Sequence, residues 1–313
     1  MTPAGVSVVI PTCNRPGMLA LTLHSVLAQR NVDMDVVIVD DGDSPSATAL
    51  VDALRDPRVT LVRNPSTRGE CAARNLGISV ARREWIAFCD DDDLWAPDKL
   101  TAQLVAAAHD GAEWVYTGHV NVDVDLRILS GSPPPSPAEL LRDLPHHNSV
   151  PAGASNVVVR AAMLAQVGPF DPGLRTSGDW DMWLRLARVA GRPAWVPRPL
   201  VALRMHRGMV SRDTVQILAD IEVIARRHGI PVDRPRHLRW AAWMAMEAGD
   251  RGRAVRHYAR AFQAGDWTSA ARAVVALVRP NITHRRRVAA GNAWASEAQL
   301  WLDGLITVSP PTR

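Results

Sequence analysis

The chain has 313 residues, 47% hydrophobic and 22% charged, and its net charge of +4 comes almost wholly from arginine, because Lys99 is the single lysine. That length suggests one large or two smaller domains with a substantial core. No apolar run reaches the roughly 18 residues of a membrane span and no secretory pattern opens the sequence. Cys13, Cys71 and Cys89 are odd in number and unpaired in pattern, which excludes a disulfide framework and points to a reducing, cytoplasmic setting.

The first predicted element is a strand, Val6-Ser7-Val8-Val9-Ile10, ended by Pro11-Thr12-Cys13-Asn14-Arg15-Pro16. Leu19, Leu21, Leu23, Val26 and Leu27 recur at helical spacing, and a second apolar strand over 36–39 runs into Asp40-Asp41-Gly42. Continuous apolar runs suit buried parallel strands, and open α/β sheets bind ligands at the carboxyl ends of their strands. Asp40 and Asp41 are therefore candidates to accept hydrogen bonds from a base or ribose; Asp-Gly also makes a plain turn. A third strand, 59–62, enters a glycine-containing loop and a small-residue helix with Arg74 and Asn75. The planar fork of Arg68 or Arg74 suits a phosphate, and either also reads as a surface arginine.

A strand over 84–89 ends in four consecutive acids, Asp90-Asp91-Asp92-Asp93. Carboxylates so crowded repel one another, and a hard divalent cation relieves that repulsion while also taking phosphate oxygens. The run thus suggests a metal bridging protein to a diphosphate; the plain alternative is a solvated turn with an acid capping the next helix. Residues 114–117 and 120–124 read as strands, and 130–137, with Pro133-Pro134-Pro135, as a loop. His146 and His147 lack a third ligand at suitable spacing and read as polar surface. Asp179 sits where a loop becomes an amphipathic helix. It is either a first-turn acid or a carboxylate held at a site mouth, with Trp180 able to stack on a sugar or to join the core.

From about residue 213 the strands disappear. Residues 215–228 read as a helix stopped by Gly229 and Pro231, and 238–247 as another. Gly249-Asp250 and Gly265-Asp266, 16 residues apart, each look like a turn plus N-cap. The expectation is an α/β domain over 1–212 and an all-α C-terminal domain over 213–313, a helical-hairpin array with tetratricopeptide-like character. Its basic runs, Arg226-Arg227-His228, 234–239, 251–260 and His284-Arg285-Arg286-Arg287, suit an anionic membrane surface; a solvated face of an arginine-rich chain is the more economical reading. Nucleic-acid binding lacks a supporting motif.

Five segments stand in the order found in family 2 glycosyltransferases: residues 6–16, Val39-Asp40-Asp41-Gly42, Ala73-Arg74-Asn75-Leu76-Gly77, residues 90–100 and residues 178–185. About the first two thirds of the chain, to near residue 211, resembles that family. The resemblance implies a GT-A fold, Rossmann-like with a mostly parallel central sheet and flanking helices. It also implies an inverting enzyme that moves a sugar from a nucleoside diphosphate, UDP or dTDP favoured, with Mn²⁺ or Mg²⁺ as cofactor. The implied acceptor is a cell-envelope glycan, a lipid-linked glycan or a natural product. By the same resemblance Pro11, Thr12, Cys13 and Asn14 lie beside the base, Asp41 accepts from its ring N–H and Asp40 shapes that pocket. Arg68 and Arg74 fall near base and diphosphate, and Asp90, with Asp91 beside it, near the ribose. Asp92 and His206 meet the metal, Asp179 is the catalytic base, and Ser155, Asn156 and Trp180 shape the acceptor or donor-sugar pocket. Cys13 stands where the family usually carries an aromatic residue that packs on the base. The C-terminal helices would serve acceptor binding, a homodimer, contact with the inner face of the membrane, or buttressing alone. A nucleotidyltransferase would want a basic, glycine-rich phosphate loop near the first strand, where only Arg15 stands; a non-catalytic nucleotide-sugar scaffold would be expected to have lost Asp92 or Asp179.

Overall fold

The computed structural model describes residues 5–42, 46–64, 68–206, 208, 213–278 and 292–306. Residues 65–67 of the glycine loop, 207 and 209–212 at the end of the family-like region and the basic run 284–287 lie outside the described residues. Two compact units emerge: Met1–Leu144, Asn148–His206 and Arg287–Arg313 form one, and Pro145–His147 with Arg207–Arg286 the other.

In the first unit the elements run β1 (Val6–Thr12), α1 (Pro16–Leu27), β2 (Met34–Asp40), α2 (Ser46–Leu54), β3 (Val59–Arg63), α3 (Glu70–Val80), β4 (Trp85–Phe88), β5 (Asp93–Trp95), α4 (Lys99–Asp110), β6 (Trp114–Val122), β7 (Ile128–Ser132), α5 (Pro137–Asp143), a 3₁₀ turn (Gly153–Asn156), β8 (Val158–Arg160), α6 (Ala161–Val167), α7 (Gly178–Val189) and β9 (Ala194–Arg204). Among the described residues nine strands join one sheet in the order β3-β2-β1-β4-β8-β6-β9-β5, with β7 on β6. The half β3-β2-β1-β4 is parallel, as the apolar runs of β1 and β2 require when helices cover both faces. β8 runs antiparallel to β4 and β6, and β5 antiparallel to β9. Residues 130–132, expected in a loop, instead pair with β6 as part of β7, and the two strands expected across 114–124 are one strand. The prolines begin the loop one residue later, where Tyr116 donates its hydroxyl to the Pro135 carbonyl at 2.5 Å.

Val8, Ile10, Val36 and Ile38 of the sheet pack on Leu19, Leu23 and Val26 of α1. The last described helix, α12 (Ala293–Ile306), belongs to this unit and covers β6, β7 and β9. Its Ala298, Leu302 and Leu305 close on Leu94, Val120, Val122 and Ala202. Trp294 lies where a Cβ on Gly118 would come within 2.3 Å of its ring, so β6 needs glycine there to accept the indole. Trp294 Nε1 donates to the His119 carbonyl at 3.1 Å, and Trp301 Nε1 to Pro199 at 2.9 Å.

The second unit holds α8 (Thr214–His228), α9 (Arg234–Glu247), α10 (Arg251–Gln263) and α11 (Thr268–Val278). Gly229 ends α8 in the left-handed conformation, and Asp233, Asp250 and Asp266 cap the starts of α9, α10 and α11. Capping by Asp233 lets α9 begin at Arg234, four residues before the expected start.

Candidate active site

The parallel strands β1, β2 and β4 bring Thr12, Asp40-Asp41 and the acidic run to one edge of the sheet. There Asp90–Asp93 make a tight turn, with Asp93 N–H donating to the Asp90 carbonyl at 3.1 Å. The turn spreads its four carboxylates over several partners, with Arg15 shared by Asp91 at 3.5 Å and Asp92 at 2.8 Å. Asp90 accepts from Arg74 Nη2 at 2.6 Å. Asp91, buried, accepts from Thr12 Oγ1 at 2.7 Å. Asp92 Oδ2 meets Arg15 Nη1 at 2.8 Å and His206 Nε2 at 2.9 Å. Asp93 is buried in β5, beside Arg204 at the end of β9.

Arg204 fastens the turn from below. Its guanidinium donates to the carbonyls of Asp92 and Asp91, to Met18 O at 2.9 Å and to Thr22 Oγ1 at 2.8 Å, tying the acids to α1. Ser155 Oγ accepts from Asp90 N–H at 2.9 Å and also bonds Asp93. Ser155 is fully buried, so it orders the acidic turn and does not line a sugar pocket as expected. Asn156 differs in the same way. Its amide exchanges two 2.6 Å hydrogen bonds with the backbone of Thr117 and donates to Pro151 O, which consumes its polar groups inside the sheet.

Desolvation and neighbouring charge sort the acids. Desolvation pushes Asp91 up to about 6, against the charge of Arg15, with Asp92 adding to the rise. On Asp92 desolvation works upward too, but the His206 hydrogen bond and the charges of Arg15, His206 and Arg204 hold it below the usual carboxylate range. Desolvation works downward on Arg74, yet Glu70 and Asp90 outweigh it and the guanidinium stays charged. Arg74 also lies over the Phe170 ring at 5.5 Å, and its buried Nε has no partner among the described residues.

Asp179 opens α7. A Cβ on Gly178 would come within 2.2 Å of Cys71 Sγ, so this glycine lets the start of α7 approach α3. The Asp179 carboxylate accepts from Asn148 Nδ2 at 2.9 Å and from Trp180 N–H at 2.8 Å. Desolvation raises its pKa, opposed by Arg74 and these bonds and reinforced by Asp90. Trp180, expected to be open for sugar stacking, is 2% exposed and donates its indole N–H to Leu144 O at 2.9 Å; helical spacing turns it into the core.

At the end of β1 Pro11 and Thr12 are buried, and Asn14 is exposed with φ 55°. Cys13, half-buried, points its thiol at the Asp41 carbonyl, 3.7 Å away. Asp41 does not present an open carboxylate: it accepts from Asn64 Nδ2 at 2.7 Å, Gly69 N–H at 2.8 Å and Arg68 N–H at 3.1 Å. These bonds take most of its lone pairs and anchor the loop into α3. Arg68 thus reaches Asp41 through its backbone. Asp40 accepts from Gly42 N–H at 3.1 Å, while its buried Oδ2 has no partner among the described residues.

Sequence reasoning passed over Glu70 and Arg204, read Asn148 with His146 and His147 as polar surface, and gave Arg15 no role. Desolvation drives Glu70 up to about 8, against Arg74 and with Asp90, Asp179 and Asp92 adding. The i,i+4 spacing of Glu70 and Arg74 was the available signal. Among the described residues no three histidine, cysteine or acid groups gather as a metal cage. Asp92 and His206 instead converge as two donors, the set that suits a hard cation completed by phosphate and water oxygens.

The family model for glycosyl transferase family 2 matches residues 7–163. Over 221 residues the chain is 32% identical to the succinoglycan biosynthesis protein ExoO of Rhizobium meliloti, covering 66% of this chain and 62% of that protein. It is 30% identical over 213 residues to WcaA of Escherichia coli, named as a glycosyl transferase for colanic acid biosynthesis, covering 65% of this chain and 73% of that one. A crystal structure of S. aureus TarS in complex with UDP-GlcNAc superposes with TM-score 0.59 at 14% identity, covering 85% of this chain and 83% of that one. At that identity the likeness shows the fold alone, and the fold is GT-A.

Proposed function

This chain belongs to glycosyl transferase family 2, and from that premise we propose that it is an inverting glycosyltransferase using a UDP- or dTDP-sugar to extend a cell-envelope polysaccharide. The observation that carries the reading is the different setting of two carboxylates, one in the acidic turn and one at the start of α7. Asp92 sits beside His206 and Arg15 in the acidic turn, whereas Asp179, with a raised pKa, is held by Asn148 at the start of α7. One acid is kept ionised among cations, as a diphosphate site needs; the other is poised to take a proton.

In this reading the acceptor hydroxyl attacks the anomeric carbon, the bond to the diphosphate breaks, and Asp179 removes the hydroxyl proton. Asn148 and the Trp180 N–H fix the carboxylate for that transfer. Arg74 and Arg15 face the departing phosphate charge. A divalent cation held by Asp92 and His206 would supply further neutralisation of that charge. The nucleoside would lie against Pro11, Thr12, Cys13 and Asn14, with the unpartnered Asp40 Oδ2 an additional acceptor beside Asp41. The names of ExoO and WcaA support a polysaccharide acceptor, and the UDP-GlcNAc complex of TarS supports a nucleotide-sugar donor. We assign this chemistry to residues 1–212 packed with α12, with α8–α11 as accessory.

Calorimetry with UDP, dTDP, GDP and CMP, each with Mn²⁺, Mg²⁺ or chelator, tests the donor site. One diphosphate should bind tightly, and only with metal. Asp92→Asn should weaken that metal-dependent binding. Asp179→Asn should leave it nearly intact and lower turnover by roughly 10² or more. Loss of metal binding in Asp179→Asn with transfer surviving in excess metal would reverse the two roles, and release of pyrophosphate in place of nucleoside diphosphate would make the chain a nucleotidyltransferase.

A further inference from the structure

We propose that the α10–α11 hairpin of the second unit docks on an anionic lipid bilayer; the inference goes beyond the transferase reading and does not rest on it. Trp267 is 77% exposed, Val274 60%, Val275 42% and Phe262 37%. These are four of the eleven exposed large hydrophobic side chains among the described residues, gathered in residues 262–275, so the exposure is a patch and not scatter. Trp267, Ala270, Ala271 and Val274 recur at i, i+3, i+4 and i+7, all exposed, and make one apolar stripe along α11. Ser269 and Ala276, on the other side of that helix, are buried and supply its packing.

The aromatic end of the stripe is held in place. Phe262 meets the Trp267 ring edge-on, with centroids 5.2 Å apart. Asp266, the residue before, accepts from Thr268 Oγ1 at 2.6 Å, Ser269 Oγ at 2.6 Å and Arg239 Nη1 at 2.8 Å. A braced turn therefore presents a tryptophan to solvent at a large apolar cost unless something covers it.

Charge selects the occupant. α10 carries exposed Arg251, Arg253, Arg256 and Arg260 and no acid within Arg251–Gln263, and α11 adds exposed Arg272. The nearby acids Asp250 and Asp266 are spent on helix starts and on Arg253, Arg239 and Arg272, and Glu222, which also feels the charge of Arg260, is paired with Arg234. A second copy of the chain on this face would set arginines against arginines. An anionic bilayer takes the tryptophan at the headgroup level, the valines in the acyl boundary and the guanidinium groups at lipid phosphate.

The test is flotation of the full chain with phosphatidylcholine vesicles, with and without phosphatidylglycerol. The protein should float with the anionic vesicles at least about tenfold more than with the neutral ones, and high salt should release it. Trp267→Glu and Val274→Glu, both at exposed positions of the second unit, should each cut flotation about tenfold or more with unchanged melting temperature and unchanged UDP calorimetry. Arg256→Gln and Arg260→Gln should each cost about fivefold. Equal flotation of wild type and Trp267→Glu, equal binding to neutral vesicles, or no flotation at all would overturn the proposal. Conversion of a dimer to a monomer by Trp267→Glu, seen by sedimentation with flotation unaltered, would give the face to a second copy instead. Because the UDP calorimetry is read separately, failure of this docking and failure of the transferase reading cannot be confused.

Discussion

Lys99, the chain's one lysine, sits at a position with no solvent exposure, where Nζ donates to Gln103 Oε1 at 2.8 Å and lies 3.9 Å from the Trp95 ring centroid. Burial pushes its pKa down to about 7, with Cys89 working in the opposite direction. The unfolded chain keeps this proton up to the ordinary lysine range, so between about pH 7 and pH 10 it binds more protons than the folded chain. The contribution of Lys99 to stability is therefore full above that range and is lost as pH falls through about 7. Melting curves should show the wild type gaining stability, relative to Lys99→Met, on the order of a few kcal/mol across that window. A constant offset between the two proteins would mean that the amine stays charged in the fold. At this scale the meeting of Thr12 and Arg74 with the acidic turn was legible because each lies in a short pattern at a strand or helix end. Trp180 and Asn156 were misplaced because only the fold decides which way a helix or a 3₁₀ turn faces.

Elements that end in local chemistry were the readable ones. Gly249-Asp250 and Gly265-Asp266 do open α10 and α11, because capping depends on the next three residues and little else. Asp266 does more than cap: hydrogen bonds from Ser269 and Thr268, then from Arg239, hold its carboxyl well below the usual range, and the last links α9 to α11. Asp266→Ala should cost about 1–2 kcal/mol, read as a fall in the denaturant midpoint at unchanged slope. Asp266→Asn, which can still cap, should recover part of the loss. The start of α9 was missed by four residues because Pro235 reads as a breaker until Asp233 is seen to cap it, which makes the proline a first-turn residue. β7 was missed because three nearby prolines and its own Ser130-Gly131-Ser132 outweigh the short apolar pair Ile128-Leu129 in any local reading.

For the whole chain, the decisive event is the return of α12 to the sheet. Trp294 seats against Gly118 and Gly131, Arg198 Nε donates to Glu297 Oε1 at 2.6 Å, and three α12 residues complete the core around Leu94 and Val120. Sequence reading put this segment with the preceding helices. Trp294→Ala should destabilise the protein by roughly 3 kcal/mol and lower the melting temperature by roughly 10 °C. Gly118→Ala should do likewise by excluding the indole, whereas Leu300→Ala, at a position 78% exposed, should be near neutral. If Trp294→Ala were as mild as Leu300→Ala, the helix would not be part of the folded core.

The sequence by itself determined the parallel half of the sheet, the acidic turn and the helical character of the last third. All of these follow from periodicity or from residue types within a short window. Only the tertiary structure decided what depends on long-range contact: the four carboxylates spread over several partners, Asp41 spent on the loop before α3, Glu70 brought beside Asp179, and α12 folded back on β6. Charge and burial at those places come from residues up to about a hundred or more positions apart, as with Arg204 on Asp92 and Trp294 on His119, and no local pattern carries that information.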